Sequence, residues 1–306
     1  MKKFIILHIY LLATISPAIA QIQYMHHKQF TNPAAMGAED AFNFATYAQS
    51  RLYGFDSAPV QAALQVTIPF ATGTAGYDFS NDKNMYIGFT AFVESIGVHL
   101  NYNILASYAY KINLNSNTNL TFALALGVDV NSVNYQKLLH DYDTDPVVTT
   151  MSLPAEYKLH GQTGTYLQGN KFYVSLYSSS IVSNQNIYLQ AGLFTTVGKS
   201  DDDGYSIQNA NRKSMFEING QLGYTNSRYN TETMLQAQVN TIFTMNNFIG
   251  VGAAWEYPLK VAGIATFNLG SVKISYCYYM DNLDKNLPTH EVLLRIKITP
   301  KHNDIF

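Results

Sequence analysis

The chain has 306 residues, of which 47% are hydrophobic and only 13% are charged, with a formal net charge of −2. This composition excludes a disordered chain, which would be rich in charge and poor in aromatic residues, and it offers no basic patch for nucleic acid. The 23 Tyr and 17 Phe residues favour a membrane β-barrel. A bundle of transmembrane helices is excluded, because no apolar run of about 18 residues follows the N-terminus.

Residues 1–20 have the pattern of a secretory signal peptide. Two lysines precede an apolar stretch, which is followed by the small-x-small cleavage site Ala18-Ile19-Ala20. The stretch is too short for a retained membrane anchor. We therefore expect the mature chain to begin at Gln21, outside the bacterial cytoplasm.

Residues 21–40 lack the alternation of a strand and contain the turn-forming pair Asn32-Pro33, followed by Gly37. Proline fixes its own φ and pushes the preceding residue toward an extended conformation, and glycine permits backbone shapes that other residues resist. We expect this N-terminal segment to enter the lumen of the barrel as a plug or to dock a periplasmic partner. Simple closure of the base of the barrel is the alternative.

The rest of the chain, residues 41–306, alternates apolar and polar residues with the period of two that marks β-strands. The polar positions are rich in Gln, Asn, Thr, Ser and Gly, which suits a barrel lumen better than the wet face of a soluble sandwich. The apolar positions would then face lipid, with Tyr and Phe near the strand ends as interfacial girdles.

This pattern predicts an all-β fold, an antiparallel transmembrane outer-membrane β-barrel of about 14 strands. An even number of strands places both chain ends in the periplasm. The long connection 130–159 would then lie outside the cell, and 199–213 would lie in the periplasm. The predicted strands span 41–50, 58–70, 85–94, 102–112, 118–129, 160–168, 171–179, 185–198, 214–227, 230–243, 247–257, 259–269, 271–280 and 289–299.

Two blocks of the N-terminal segment, Gln23-Tyr24-Met25 and Asn32-Pro33-Ala34, followed by Gly37, resemble the opening of the PorP/SprF family. The members of this family are outer-membrane proteins of the Bacteroidetes type IX secretion and gliding machinery. The resemblance covers essentially the whole mature chain.

Two later stretches carry the rest of the resemblance. Gly54 and Pro59 match a second block of the family, whereas Gln49 and Arg51 stand where the family usually has Arg and Gln. Near the end of the chain, His290-Glu291 resembles the last hairpin of the family.

The resemblance implies a barrel that works with other type IX components and holds a secreted surface protein or adhesin at the outer membrane. A different barrel family with a similar composition is the alternative. The residues that would have a structural or partner-contact role are Gln23, Tyr24, Met25, Asn32, Pro33, Ala34, Gly37, Gly54, Pro59, His290 and Glu291.

The sequence carries no recognisable catalytic, cofactor or metal motif. Asp141-x-Asp143-x-Asp145 begins like a calcium loop, but Pro146 occupies the position that requires glycine. His290 and Glu291 are successive strand residues and should face opposite sides, so they cannot bind one metal together. We therefore predict a protein that is not an enzyme and has no cofactor.

Two functions are compatible with these observations. The first is the anchoring or assistance of a secreted surface protein, which rests on the resemblance and on the lack of catalytic motifs. The second is a porin or small-solute channel, which rests on the polar lumen alone, since a barrel this wide is either filled or leaves a pore. Both place the protein in the outer membrane, with lipid around it.

Overall fold

The structure, a computed structural model, describes residues 27–51, 58–70, 84–134, 155–178, 186–197, 214–226, 233–257, 260–281 and 289–299. In this part of the chain two short 3-10 helices, Lys28–Phe30 and Pro33–Ala38, precede fourteen strands. The strands are β1 (Phe42–Ser50), β2 (Val60–Phe70), β3 (Met85–Ile96), β4 (His99–Asn115), β5 (Thr118–Val133), β6 (Glu156–Gln168), β7 (Phe172–Ser178), β8 (Asn186–Val197), β9 (Ser214–Asn226), β10 (Thr233–Met245), β11 (Ile249–Glu256), β12 (Lys260–Leu269), β13 (Val272–Asp281) and β14 (Thr289–Ile298). The described residues contain no helix that is long and apolar enough to cross a membrane.

The fourteen strands form one closed antiparallel barrel, which confirms the predicted fold. Each strand pairs with its neighbours in sequence, and β1 pairs with β14 from Phe42↔Ile298 to Ser50↔His290. Closure matters in a membrane, because lipid cannot satisfy the backbone groups of an open sheet edge. The start of β1 and the end of β14 lie at the same end of the barrel, which we take as the periplasmic end because the strand count is even.

Apolar side chains cover the outside of the barrel, as the alternation predicts. In β5, Phe122, Leu124 and Leu126 are exposed, whereas Ala123 and Ala125 between them are buried. The exposed aromatic residues lie mainly near the strand ends, where amphipathic rings favour the membrane interface. Those near the outer end are Tyr102, Tyr157, Tyr224, Trp255 and Tyr278, and those near the periplasmic end are Tyr110, Phe172, Phe243 and Phe267.

Tight turns join consecutive strands at the periplasmic end. Asn246 and Asn247 lie between β10 and β11 with φ values of 50° and 53°, and Gly270 lies between β12 and β13 with a φ of 64°. Asparagine and glycine tolerate this left-handed region, which tight hairpin turns use.

The strands flanking the long outer connection extend further than predicted. β5 continues to Val133 and β6 already begins at Glu156, so the ends of the predicted connection 130–159 are strand. The reason is that Val130 pairs with Tyr157 and keeps the ladder intact. The aspartates of the calcium-like stretch and residues 199–213 lie outside the described residues.

Large side chains also face the lumen, which the alternation did not predict. Tyrosines on the inner wall are buried to an exposure of 3% or less, so the lumen around them is filled rather than open. These residues are Tyr47, Tyr86, Tyr166, Tyr173, Tyr177 and Tyr279.

Candidate functional site

Residues 27–41, called the lumen segment below, lie inside the barrel. The helix Pro33–Ala38 packs mainly against β3, β4, β5 and β6. Further contacts, described below, join the lumen segment to β2, β7, β8, β9 and β14. Most of the segment is buried, with Met36 and Ala34 at 0% exposure, whereas Asp40 near its end is exposed.

Asn32 connects the turn of the lumen segment to the barrel wall. Its side-chain Oδ1 accepts a hydrogen bond of 2.8 Å from the backbone N–H of Ala34 and so caps the helix that Pro33 begins. Its Nδ2 donates to the carbonyl oxygen of Thr165 at 3.1 Å and to the hydroxyl of Ser175 at 2.7 Å. Asn32 is 0% exposed, and both the oxygen and the nitrogen of its side-chain amide have hydrogen-bond partners.

Glycines on both surfaces allow the close approach of the lumen segment to the wall. A side chain at Gly37 would collide with Thr121 of β5, and one at Gly88 of β3 would collide with Met36. On β6, a side chain at Gly164 would overlap the amide of Asn32. The glycine and asparagine of the N-terminal block therefore have a steric role in packing.

Two carboxylates at the end of the lumen segment bind cations on two different parts of the wall. Glu39 pairs with Arg295 and, at 3.4 Å, with Lys297, both on β14. Burial alone would raise the pKa of Glu39, but the two cations outweigh it and hold the pKa below its usual value. Asp40 accepts from Lys111 of β4 at 2.6 Å and from the hydroxyl of Tyr86 of β3.

Lys28 ties the beginning of the lumen segment to a third part of the wall. Its Nζ lies 3.5 Å from the ring centroid of Tyr173 and 3.8 Å from a carboxylate oxygen of Glu217. It also lies 5.1 Å from the ring centroid of Phe194. Burial lowers the pKa of Lys28 to about 8, although Glu217 opposes the shift. The ammonium is thus held by a cation–π contact and an ion pair.

His27 and Gln29 bind β2. The Nε2 atom of His27 is 2.7 Å from the Oε1 of Gln65, and the amide of Gln65 donates to the carbonyl oxygen of Gln29 at 2.9 Å. Burial, aided by the charge of Arg295, lowers the pKa of His27 to about 3, so the imidazole is neutral at pH 7.

The outer half of the lumen carries a separate polar network around Glu291. Its Oε1 accepts hydrogen bonds from the hydroxyl of Tyr47 and the amide of Gln49, and Gln49 in turn accepts one from Arg51. Gln49 stands where the family usually has Arg, and Arg51 stands where it usually has Gln. Both residues nevertheless belong to one hydrogen-bond network with Glu291. The backbone N–H of Arg51 also donates to the carbonyl oxygen of Pro59.

Carboxylates predominate near the outer end of the inner wall and cations near its periplasmic end, although Lys158 and Lys260 lie opposite Asp129 and Glu256 on the neighbouring strands. Inward carboxylates occur at the outer ends of β3, β5, β11 and β14, and inward cations at the periplasmic ends of β4, β13 and β14. Among the partners of these carboxylates are the amide of Gln238 for Glu256 and the imidazole of His160 for Asp129. The residues concerned are Glu94, Asp129, Glu256 and Glu291, and Lys111, Lys273, Arg295 and Lys297.

The residues selected from the sequence lie in different places. Asn32, Pro33, Ala34 and Gly37 lie together in the lumen segment. Glu291 faces the lumen, whereas His290 binds the hydroxyl of Tyr276 at 2.7 Å across the strand pair. The predicted opposite facing of the pair is therefore correct. Gln23, Tyr24, Met25 and Gly54 lie outside the described residues.

The charged contacts of the lumen segment were not predicted from the sequence. Lys28, Glu39 and Asp40 sit in a stretch without periodicity, and nothing local reveals their partners. The sequence did contain one indication of these contacts. Lys111 and Arg295 occupy inward positions of membrane strands, where a charge is costly unless it is paired, so each of them should have an acidic partner. Within the part of the chain that the structure describes, no group of three or more His, Cys, Asp or Glu residues could hold a metal ion.

A closed barrel with an apolar exterior and a polar, filled interior belongs to the class of bacterial outer-membrane β-barrels. The model of one family, the type IX secretion system membrane protein PorP/SprF, matches residues 17–296. The chain therefore belongs to the PorP/SprF family and lies in the outer membrane, as the resemblance implied. A search of curated proteins found no match.

Solved structures that match this chain do so at very low sequence identity. The deltaS2S3 mutant of TodX, a monoaromatic hydrocarbon channel, has a TM-score of 0.50 and 9% identity, over 88% of this chain and 93% of that chain. LpxR from Salmonella typhimurium has a TM-score of 0.41 and 8% identity, over 84% and 100%. A Rhodopseudomonas blastica porin mutant has a TM-score of 0.34 and 9% identity, over 84% and 99%.

Proposed function

We propose that this barrel holds a secreted surface protein, such as an adhesin, at the outer membrane, as a non-catalytic partner of the type IX machinery. Membership of the PorP/SprF family supports the link to secretion. The observation that carries the proposal is the fixation of the lumen segment to opposite walls by ion pairs and buried hydrogen bonds. A filled lumen suits a binding platform better than a diffusion channel, which needs a water-filled path.

The partner binds, in this proposal, at the outer connection between β5 and β6. These two strands stay paired up to Asn131↔Glu156, and β5 also pairs with β4 as far as His99↔Val133. The hairpin of β5 and β6 is braced by Asp129, which binds the imidazole of His160 at 2.8 Å. A long connection on a rigid hairpin is a common place for binding residues.

Deletion of residues 141–150 tests the proposal in the native host. We expect the barrel to remain heat-modifiable on gels, because the deletion lies outside every described strand. A secreted protein that is retained at the cell surface by the wild-type barrel should appear in the medium instead. Mass spectrometry of the surface and medium fractions measures the redistribution.

The matched control is a deletion of residues 283–286, in the outer connection between β13 and β14, which should leave the partner at the surface. Retention of the partner after deletion of 141–150 would contradict the loop assignment. Retention of every secreted protein in a strain without the barrel gene would contradict the anchoring function itself.

A further inference from the structure

An apolar patch occupies the inner wall of β10–β13, where the alternation would put polar residues. Its side chains are 0–4% exposed and lie in two adjacent rows of the sheet, since Ile264 pairs with Cys277 and Ala254 pairs with Ala262. This inner apolar patch consists of Ile242, Ala254, Ala262, Ile264, Cys277 and Tyr279.

The helix of the lumen segment packs on the other side of the barrel. Pro33–Ala38 contacts chiefly β3–β6, and in a closed ring of fourteen strands β10–β13 lie seven positions away. The patch therefore needs a different cover, because contact between an apolar surface and water is unfavourable.

Two buried polar atoms beside the patch indicate what kind of cover this is. The Nδ2 of Asn240, next to Ala254, and the hydroxyl of Thr266, next to the row of Ile264, have no hydrogen-bond partner among the described residues. Both residues are 1% exposed. A buried donor without an acceptor is costly. An extended peptide supplies carbonyl groups together with apolar side chains, whereas a hydrocarbon supplies only the latter.

The residues directly before the lumen segment have the right chemistry and reach. Ile22, Tyr24 and Met25 are apolar, and residues 21–26 lead into His27, which is buried in the lumen. Lys28, the next residue, lies 3.8 Å from Glu217 of β9, which pairs with Ile242 of the patch. Ile242 and Cys277 lie in one row of the sheet, three strands or about 14 Å apart, and six extended residues span up to about 20 Å.

We propose that residues 21–26 dock on the inner apolar patch, with their backbone carbonyls accepting from Asn240 and Thr266. The N-terminal segment then covers both walls of the lumen: residues 27–41 cover β3–β6, and residues 21–26 cover β10–β13. In this proposal the inner apolar patch is the surface that binds the block Gln23-Tyr24-Met25.

Cys277, the only cysteine of the chain, allows a direct test by disulfide formation in the full-length barrel in outer membranes. A single cysteine is introduced at each position from 22 to 26 in turn, and the membranes are oxidised. We expect at least one of these variants, with Tyr24→Cys as the first choice, to form an intramolecular disulfide with Cys277, which requires Cα atoms within about 7 Å. Peptide mass spectrometry identifies the bond.

The matched control moves the acceptor thiol to the opposite wall. In the double background Cys277→Ser and Ala125→Cys, the same N-terminal cysteines should stay reduced, because Ala125 is a buried inward residue of β5. Linkage to position 125, or no linkage from any of the five positions to Cys277, would overturn the proposal.

A labelling measurement separates this docking from other occupants of the patch. A hydrophilic maleimide should react slowly with Cys277 in the wild type and at least about tenfold faster after deletion of 21–26, since a covered thiol reacts only when the structure opens. Unchanged protection after the deletion would show that an apolar solute or a partner chain covers the patch, and it would overturn the proposal.

Discussion

Asn32 shows at the scale of one residue which contacts local sequence rules can predict. A turn at Asn32-Pro33 follows from the φ restriction of proline and the capping ability of asparagine. The bonds to Thr165 and Ser175 do not follow, because these partners are 133 and 143 residues away. The same limit applies to Glu39, whose partners lie on the last strand.

Replacing Asn32 with Ala should loosen the lumen segment. The cap contributes about 1 kcal/mol and each of the two donated bonds about as much, so we expect a loss of about 2–4 kcal/mol. Hydrogen exchange measured by mass spectrometry should become faster over residues 33–38, while the barrel remains heat-modifiable.

The variant Asn32→Asp separates the two roles of this side chain. It keeps the acceptor of the cap but loses both donors, and it should also loosen the segment. Wild-type exchange in Asn32→Asp would show that the bonds to Thr165 and Ser175 do not hold the segment in place.

At the scale of the strands, period-two alternation is a strong guide to facing and a weaker one to strand length. It identified all fourteen strands in the described part of the chain, because one face meets lipid and the other does not. It failed for inward residues such as Tyr86 and Ile264, since a filled lumen accepts large and apolar side chains. It also ended β5 too early, although Val130 continues the ladder.

Neighbouring residues of β10 test the facing directly. Ala237 precedes the exposed Val239 on the outer face, whereas Gln238 faces the lumen and donates to Glu256. Ala237→Arg should destabilise the barrel by about 2–4 kcal/mol, the cost of a cation facing lipid near the midplane. Gln238→Arg should be tolerated, because the cation can pair with Glu256. Heat-modifiable gel mobility reports the difference, and equal effects would contradict the facing.

At the scale of the whole molecule, the sequence predicts the closed ring and its strand number but not how the interior is filled. Composition and alternation describe the wall, since every strand must cross the same bilayer. The filling depends on contacts between a non-periodic segment and strands throughout the chain. The N-terminal resemblance drew attention to that segment, whereas its ion pairs emerge only from the three-dimensional arrangement.

Removal of residues 21–36 should open the lumen. The deletion takes out the helix start, the Asn32 bridge and Lys28, which together hold the segment against β6, β7 and β9. We expect little current through the wild-type barrel in a planar bilayer and a sharp rise in single-channel conductance after the deletion. A barrel lacking 141–150 serves as the control and should stay closed. Equal conductance of the wild type and the 21–36 deletion would favour the channel alternative.

The pairing of Glu39 with β14 has a consequence for the order of assembly. Glu39 nearly adjoins the first strand, yet its partner Arg295 lies 256 residues later in the chain. Contacts of such large sequence separation form late, because a long loop must close before they are made. The last of the contacts that secure the lumen segment therefore forms only when the final hairpin has been added. Sealing of the interior coincides with completion of the ring, and a chain cut short before β14 would stay both unclosed and unsealed.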